Sequence, residues 1–468
     1  MPLDGFTPWP EDAALAYRRA GYWQGRSLPQ LLHDWAREHG PRTALVHGTT
    51  RLTYSRLDRR VSRMAAGLRL RGVEPGRRVV VQLPNTPEFV VAVFALMRVG
   101  AIPVLAPTAH RETEIAHLVA ESEAVGYVGP AMHRGFDHAE TAARIAARST
   151  SLRRIFTLTA PGEQTGGFSL LPGGALAFPL HTVDEAPVPD RRLDASDVAF
   201  FLPSGGGTTT PPRLVGRTHD DYAYQLRAAA EPLALGPEDV YLATLPAEST
   251  LTLGCPGILG TLAVGGTVVL LDDPAPEAAF HTIAREGVTV TTVTPGIAAR
   301  WLDAVDGAEA DLASLRVMQI GGGASRLDPA LAARIEPGFG CRLQQLWGRA
   351  EGLLTATRLD DPRDVVLGTQ GRPVSPADEI RIDAPEGEPG ELLVRGPYTT
   401  RGYYRSPEHN ARAFTADGFF RTGNPARLTA EGNLTVEDCP HPPTSQAPPI
   451  SDRQLCTTLR THSCCSGG

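Results

Sequence analysis

Ser204 to His219 reads SGGGTTTPPRLVGRTH, a run of small residues closed by a basic one. Consecutive glycines let backbone N–H groups converge on an anion. Thr208 and Thr209 add hydroxyl donors and Arg213 adds a positive charge, which together suit a loop wrapped around phosphate groups. The spacing is not the G-x-x-x-x-G-K-[ST] of the common P-loop, and the same composition also makes an ordinary surface turn. The basic position is an arginine in a chain without lysine: all 45 residues counted as Lys+Arg are arginine.

On both sides of this run, apolar helical stretches alternate with short β-branched ones. Ser27 can cap a helix through LPQLLHDWAREHG, and TYSRLDRRVSRMAAGLRLRG predicts a second helix ending at Gly72. RRVVVQLPN, AIPVLA, AVGYVG, VTVTTVTP and LRVMQIGGG read as strands, interleaved with helices such as EFVVAVFALMRVG, ETEIAHLVAESE and FHTIAREG. This alternation predicts an α/β fold of parallel sheets covered by helices, with ligands outside the carboxyl ends of the strands. From about Pro385 the pattern changes to short strands broken by glycines, a smaller β-rich subdomain. Pro161 to Pro179, PGEQTGGFSLLPGGALAFP, reads as a surface loop.

The 468 residues, 42% hydrophobic and 21% charged, suffice for two or three cores. A net charge of −7 argues against a general nucleic-acid binder, whose footprint is a basic face. The N-terminus carries no basic-then-apolar signal pattern and no apolar run is long enough to span a bilayer, so a cytoplasmic protein without a membrane partner is expected. Cys255 and Cys341 are the only cysteines before Asp438, too few for a disulfide framework. Residues 438–468, with Cys439, Cys456, Cys464 and Cys465, are rich in Pro, Ser and Thr and read as a disordered tail. A metal site with His441 and His462 is the alternative there, but the spacings match no standard zinc pattern.

Seven segments point further. GFTPWPED, VVVQLPN, SGGGTTTPPRLVGRTHDDY, LQQLWGRAEGLLTATRLDDP, TQGRPVSP, RGPYTTRGYYRSPEHN and GFFRTGN, in this order, resemble the aryl-acid adenylating enzymes. These are the stand-alone 2,3-dihydroxybenzoate- or salicylate-AMP ligases of siderophore and related biosynthesis, within the adenylate-forming superfamily. The resemblance covers about Gly5 to Glu437. It implies a large N-terminal adenylating domain over residues 1–437, built from two parallel-sheet subdomains and the small β-rich one, that uses ATP and Mg²⁺ to activate an aryl carboxylic acid.

Carried over by position, the resemblance assigns Ser204, Gly205, Gly206, Gly207, Thr208, Thr209 and Arg213 to the ATP triphosphate. Gly321, Gly322 and Gly323, with Gln344, Gln345 and Gly348, would border the adenine and acyl-adenylate. Glu351, with Thr208, would hold Mg²⁺, and Asn424 would meet the ribose. Arg213, Glu351 and His219 are the implied catalytic residues, and Ser249, Thr250, Leu251 and Cys255 the implied acid pocket. The loose acceptor afterwards would be a phosphopantetheine thiol of an aryl carrier protein.

Several positions depart from the family. Thr210 and Pro211 stand where the loop carries a further glycine, and proline removes an N–H donor. Arg213 replaces a lysine, keeping the charge on a larger planar fork. Asn424 replaces an aspartate, a loss of about 1.5–3 kcal/mol in charge-assisted hydrogen bonds to the ribose. In LPAESTLTLGCPG, Ser249, Thr250 and Leu251 replace a His-Asn-aromatic run, and Glu248 beside them is expected to repel a carboxylate. After NLTVED the family continues into a lid domain carrying a lysine, which is expected to be absent here, so adenylation is expected to be slow unless a lid acts in trans. Two other readings stand beside this one: a catalytically inactive homologue that binds nucleotide, acid or carrier protein as a regulatory or scaffolding partner, and an acyl-CoA ligase, which GFTPWPED and RTHDDY fit less well.

Overall fold

The computed structural model describes residues 3–160, 167–189, 191–204, 211–322, 327–385 and 388–437. Its middle is the helix Pro87–Val99, apolar on nearly every face and buried from Phe89 to Val99. Such a helix needs apolar neighbours all round. It finds them between two sheets, where it shares one core with the helices Leu28–Glu38 and Tyr54–Leu70, with Val79, Val81 and Leu202 from one sheet and with Leu45, Ala243 and Val268 from the other. Its buried Arg98 is matched by Asp58 Oδ1 at 2.7 Å and Ser62 Oγ at 2.6 Å, as a buried charge requires. Ser27 caps Leu28–Glu38 as expected, in a reciprocal capping box with Gln30.

One sheet has nine strands, in the order Arg372–Pro373, Leu354–Ala356, Arg342–Gly348, Val317–Gly321, Val290–Val293, Val240–Ala243, Thr267–Leu270, Thr43–His47, Thr50–Thr53. It is parallel except at its two ends. The other has eight: Arg213–Thr218, Val198–Ser204, Ile102–Leu105, Arg78–Val81, Gly126–Pro130, Arg154–Leu158, Leu176–Pro179, Ser169–Leu170, again antiparallel only at its ends. The helices Pro276–Glu286, Pro295–Val305 and Pro329–Phe339 cover the outer face of the first sheet, and Glu112–Ser122 with His138–Arg148 cover that of the second. The result is five alternating layers of helix and sheet, the α/β arrangement that the alternation predicts.

A four-stranded antiparallel sheet, Glu379–Asp383, Gly390–Arg395, Phe420–Leu428 and Leu434–Val436, forms the third part. It starts at Glu379, ahead of the composition change near Pro385. Glu379–Asp383 (EIRID) is never fully buried and so carries little apolar signal. The stretch expected to be a surface loop also contains structure. Leu176–Pro179 pairs parallel with Arg154–Leu158, and Ser169–Leu170 turns back on it through Gly173 and Gly174, both at positive φ. Residues 161–166 of that stretch, and the tail from residue 438, lie outside the described residues.

Asn85, in the VVVQLPN segment, ties the two large sheets together. Its Nδ2 reaches the carbonyls of Ala243, Leu245 and Leu271 at 2.9–3.2 Å, and its Oδ1 accepts from Ala247 N–H at 2.7 Å. Four contacts from one buried carboxamide align the carboxyl ends of strands from both sheets, and that is where the candidate site lies.

Candidate active site

Ser204 ends one strand and Arg213 begins the next, and the two are directly paired across an antiparallel hairpin. The pair stands at the edge of the eight-stranded sheet, and the Gly/Thr run lies between the two residues in the sequence. Gly205, Gly206, Gly207, Thr208 and Thr209 lie outside the described residues. Ser204 and Arg213 border a cavity of about 290 Å³ that is also lined by Arg349, Glu351, Tyr403, His409, Arg412 and Arg421.

Glu351 is 1% exposed and sits on a turn after the strand Arg342–Gly348. The turn is held tightly. Gly352 N–H donates to Arg349 O at 3.1 Å, Thr400 N–H donates to Glu351 O at 2.7 Å, and the buried Arg217 donates to Ala350 O and Tyr398 O. A Cβ on Gly352 would lie 2.5 Å from Thr399 Cα, at a φ of 114° that other residues rarely adopt, so glycine is required there.

The hydroxyls of Ser204 and Tyr403 both donate to Glu351 Oε1, the second at 2.6 Å, and Arg349 Nε faces Oε2 at 3.4 Å. Burial pushes the Glu351 carboxyl up. Arg349 and the two hydroxyls push harder the other way and hold it below the usual carboxylate range, so it is ionised. Tyr403 is pushed far up by burial and by Glu351, so it keeps its proton and donates. His409 is held below its ordinary value by burial and by the guanidinium groups of Arg213 and Arg412, and is neutral at pH 7.

Asn424 lies 8% exposed in the strand Phe420–Leu428, its Oδ1 accepting from Arg349 Nη1 at 2.9 Å. Arg349 thus bridges the Glu351 turn and the four-stranded sheet. Of the arginines around the cavity, Arg421 is paired with Glu391 at 2.7 Å and Arg349 with Glu351. Among the described residues the side chains of Arg213 and Arg412 have neither a hydrogen bond nor an ion pair. Two uncompensated cations over one ionised carboxylate favour a polyanion.

The assigned acid side is built differently. Ser249 caps the short helix Thr250–Gly254, accepting from Thr252 N–H. Thr250 gives its carbonyl to the Cys255 thiol at 3.1 Å. Cys255 is fully buried, and burial pushes its thiol up to about 12. Leu251 meets Gly322, where a Cβ would stand 2.7 Å from Leu251 Cδ1; a φ of 69° also favours glycine there. Glu248 is fully enclosed, and burial, with a smaller push from Asp272, raises it to about 8. The raised value favours its protonated form at pH 7 and weakens the repulsion expected of it.

Other assigned residues are committed elsewhere. Gln344 spans Gln319 Nε2, Thr357 O and Pro232 O, and Gln345 donates to Val366 O at 2.6 Å, so both side chains are used within the fold. Gly348 closes its strand against Leu354, and Gly321 abuts Leu346 O; Gly323 lies outside the described residues. His219 is not brought to the cavity. It is buried in the first turn of His219–Ala230, its Nδ1 accepts from Leu28 N–H at 3.2 Å, and burial lowers it to about 3. It is a neutral tie between two helices, a structural position in place of the catalytic one.

Sequence reasoning passed over Tyr403, Arg349, His409 and Arg412. Tyr403, Arg349 and His409 lie inside segments quoted for the resemblance and Arg412 just after one of them, but nothing in their spacing separates them from their neighbours.

A family model described as AMP-binding enzyme matches residues 32–404. The chain is 48% identical to triostin synthetase I of Streptomyces triostinicus and 43% identical to the 2,3-dihydroxybenzoate-AMP ligase of Bacillus subtilis, in each case over 93% of this chain and 79% of the relative. Its fold matches the apo structure of Mycobacterium smegmatis MbtA with a TM-score of 0.83 at 41% identity, covering 93% of this chain and 80% of that one. The paired Ser204 and Arg213, a buried glutamate beside them and sequence likeness along nearly the whole chain agree: the chain belongs to the AMP-binding enzyme family and resembles its aryl-acid:AMP ligases.

Proposed function

We propose that this chain activates an aryl carboxylic acid of the hydroxy- or aminobenzoate type with ATP, forming the acyl-adenylate and releasing pyrophosphate, in the making of a siderophore or another secondary metabolite. The observation that carries the reading is the cavity in which Arg213 and Arg412, whose side chains have no partner among the described residues, stand near ionised Glu351. The acid specificity rests on the resemblance to aryl-acid ligases and on the names of the relatives.

In the reaction, a carboxylate oxygen of the acid attacks the α-phosphorus in line, the bond from that phosphorus to the bridging oxygen breaks, and pyrophosphate leaves with the electron pair. Little covalent chemistry falls to the protein, so its work is positioning and charge neutralisation. Arg213 and Arg412 would face the pyrophosphate, and Asn424 would meet the ribose. Glu248, whose carboxyl burial raises to about 8, would oppose a second carboxylate only weakly at pH 7. Glu351 fits a divalent cation: it is ionised, borders the cavity, and among the described residues its Oε2 accepts no hydrogen bond. Bound Mg²⁺ would supply further neutralisation of phosphate charge. The acyl group would then pass to the thiol of an aryl carrier protein in the cytoplasm, with a lid domain as a further partner in trans.

The test is acid-dependent ATP–pyrophosphate exchange on the purified chain, with and without an added lid domain, across a panel of hydroxy- and aminobenzoates. Exchange with one acid is expected. No exchange under either condition, alongside measurable ATP binding, would overturn the proposal in favour of a nucleotide-binding relative without turnover.

A further inference from the structure

Arg349 touches both groups that the proposed function gives to the cation and the sugar. Its Nε lies 3.4 Å from Glu351 Oε2, its Nη1 donates to Asn424 Oδ1 at 2.9 Å, and its guanidinium carbon lies 5.9 Å from the centroid of the Phe420 ring. The side chain is 15% exposed. The two contacts differ in kind. The one to Asn424 is a well-formed hydrogen bond, whereas the one to Glu351 is longer than a charge-assisted hydrogen bond, and among the described residues Nε has no hydrogen-bond partner. The pairing with Glu351 is therefore loose Coulombic attraction, and a small divalent cation can compete for the same oxygen. A guanidinium has donors only, so the oxygen of Asn424 must face it and the NH₂ must face away.

We infer that Arg349 is an internal counter-ion that competes with the divalent cation for Glu351 and, by holding Asn424 Oδ1, presents that residue to the sugar as a hydrogen-bond donor, so that one side chain couples the two subsites. The inference rests on the adenylation reading for the identity of the ligands, while its geometry rests on the contacts of Arg349 with Glu351 and Asn424. A cation arriving at Glu351 releases Arg349 from the carboxylate and leaves it on Asn424. Conversely, a carboxylate in place of Asn424 draws Arg349 off Glu351 and opens the cation site. Substituting Arg349 removes the competitor altogether.

The experiment is a double-mutant cycle read by Mn²⁺ binding to the nucleotide-free protein, followed by electron paramagnetic resonance, on the unaltered chain, Arg349→Met, Asn424→Asp and the pair. An opposite charge at this range shifts the affinity of a carboxylate for a cation by about tenfold or more, so Arg349→Met should tighten Mn²⁺ binding by about that factor. Asn424→Asp alone should give a smaller gain that vanishes in the Arg349→Met background, because the gain acts through Arg349. A residue that merely packs would not make one gain depend on the other. Arg349→Lys, which keeps the charge, should bind Mn²⁺ like the unaltered chain, and it serves with thermal melts to separate a folding defect from a change of site. Unchanged Mn²⁺ affinity in Arg349→Met, or an Asn424→Asp gain that persists without Arg349, overturns the inference. ATP affinity of the unaltered chain is measured alongside: its absence would sink the adenylation reading, while the Mn²⁺ cycle still decides the role of Arg349.

Discussion

The two sides of the candidate site spend their polar groups in opposite ways. Around Glu351, charged groups face an open cavity, and Arg213 and Arg412 are left without partners among the described residues. Around Ser249–Cys255, the hydroxyl, carbonyl and thiol groups are consumed locally: Ser249 caps a helix, Thr250 accepts from Cys255, and Cys255 and Glu248 are sealed from water. Generic ligand chemistry, a phosphate chain or a cation, needs charge waiting for it. On the proposed reading, selection of one acid would be left to shape and to the few atoms that helix capping does not use.

The sharpest way to break this contrast is Glu351→Gln, which removes the buried ionised carboxylate of the charged side. Acid-dependent exchange should fall by about 100-fold or more, as loss of a charge-stabilising group in a water-poor site does; a loss under threefold would remove Glu351 from the chemistry. Next, Arg213→Ala and Arg412→Ala should each weaken ATP and pyrophosphate binding by about tenfold, the scale of one charge-assisted hydrogen bond, and leave AMP nearly unchanged. Equal losses for AMP, measured by calorimetry, would move these cations away from the pyrophosphate end.

On the acid side the expected effects are smaller and concern stability. Glu248 has a raised pKa of about 8 in the fold against 4.5 as its ordinary value. Between those two values the unfolded chain ionises Glu248 and the folded chain does not, so the unfolded state binds fewer protons and this residue makes stability fall as pH rises from about 4.5 to about 8. Denaturant titrations of Glu248→Gln should lose that component of the slope. If the slope is the same in both proteins, Glu248 is ionised in the fold. Smallest is Ser249→Ala, which should cost about 0.5–2 kcal/mol of stability through the lost helix cap while ATP affinity stays the same. A drop in ATP affinity would mean that the two sides are less separate than their hydrogen bonds indicate.

How much of this was legible from the sequence depends on whether neighbours in the chain are neighbours in space. The parallel sheets were, because helix and strand periodicities alternate cleanly from RRVVVQLPN to LRVMQIGGG. The Glu379–Asp383 strand and the Ser169–Leu170 edge were not, because an edge strand half in water carries no continuous apolar run. The pairing of Ser204 with Arg213 follows from a hairpin. The meeting of Ser204, Tyr403 and Glu351 does not, because these residues are separated by up to 199 positions along the chain, the interval from Ser204 to Tyr403. Arg349 looked like one basic residue among many until Asn424, on another sheet, supplied its acceptor. His219 misled for a related reason: a histidine beside a motif carries no sign of whether it faces a ligand or, as here, the start of a distant helix.

That the cations around the cavity are arginines has a chemical consequence. An acyl-adenylate is a mixed anhydride, ready to acylate any unprotonated primary amine within reach, and an ammonium side chain can lose its proton when buried. Guanidinium groups stay protonated in proteins and so offer no lone pair for attack, and this sequence contains no lysine anywhere. The Cys255 thiol, raised to about 12, is protonated as well. An activated acid held here would be surrounded by positive charge yet meet no side-chain amine to modify, so self-acylation at lysine is closed off and the intermediate can wait for its acceptor.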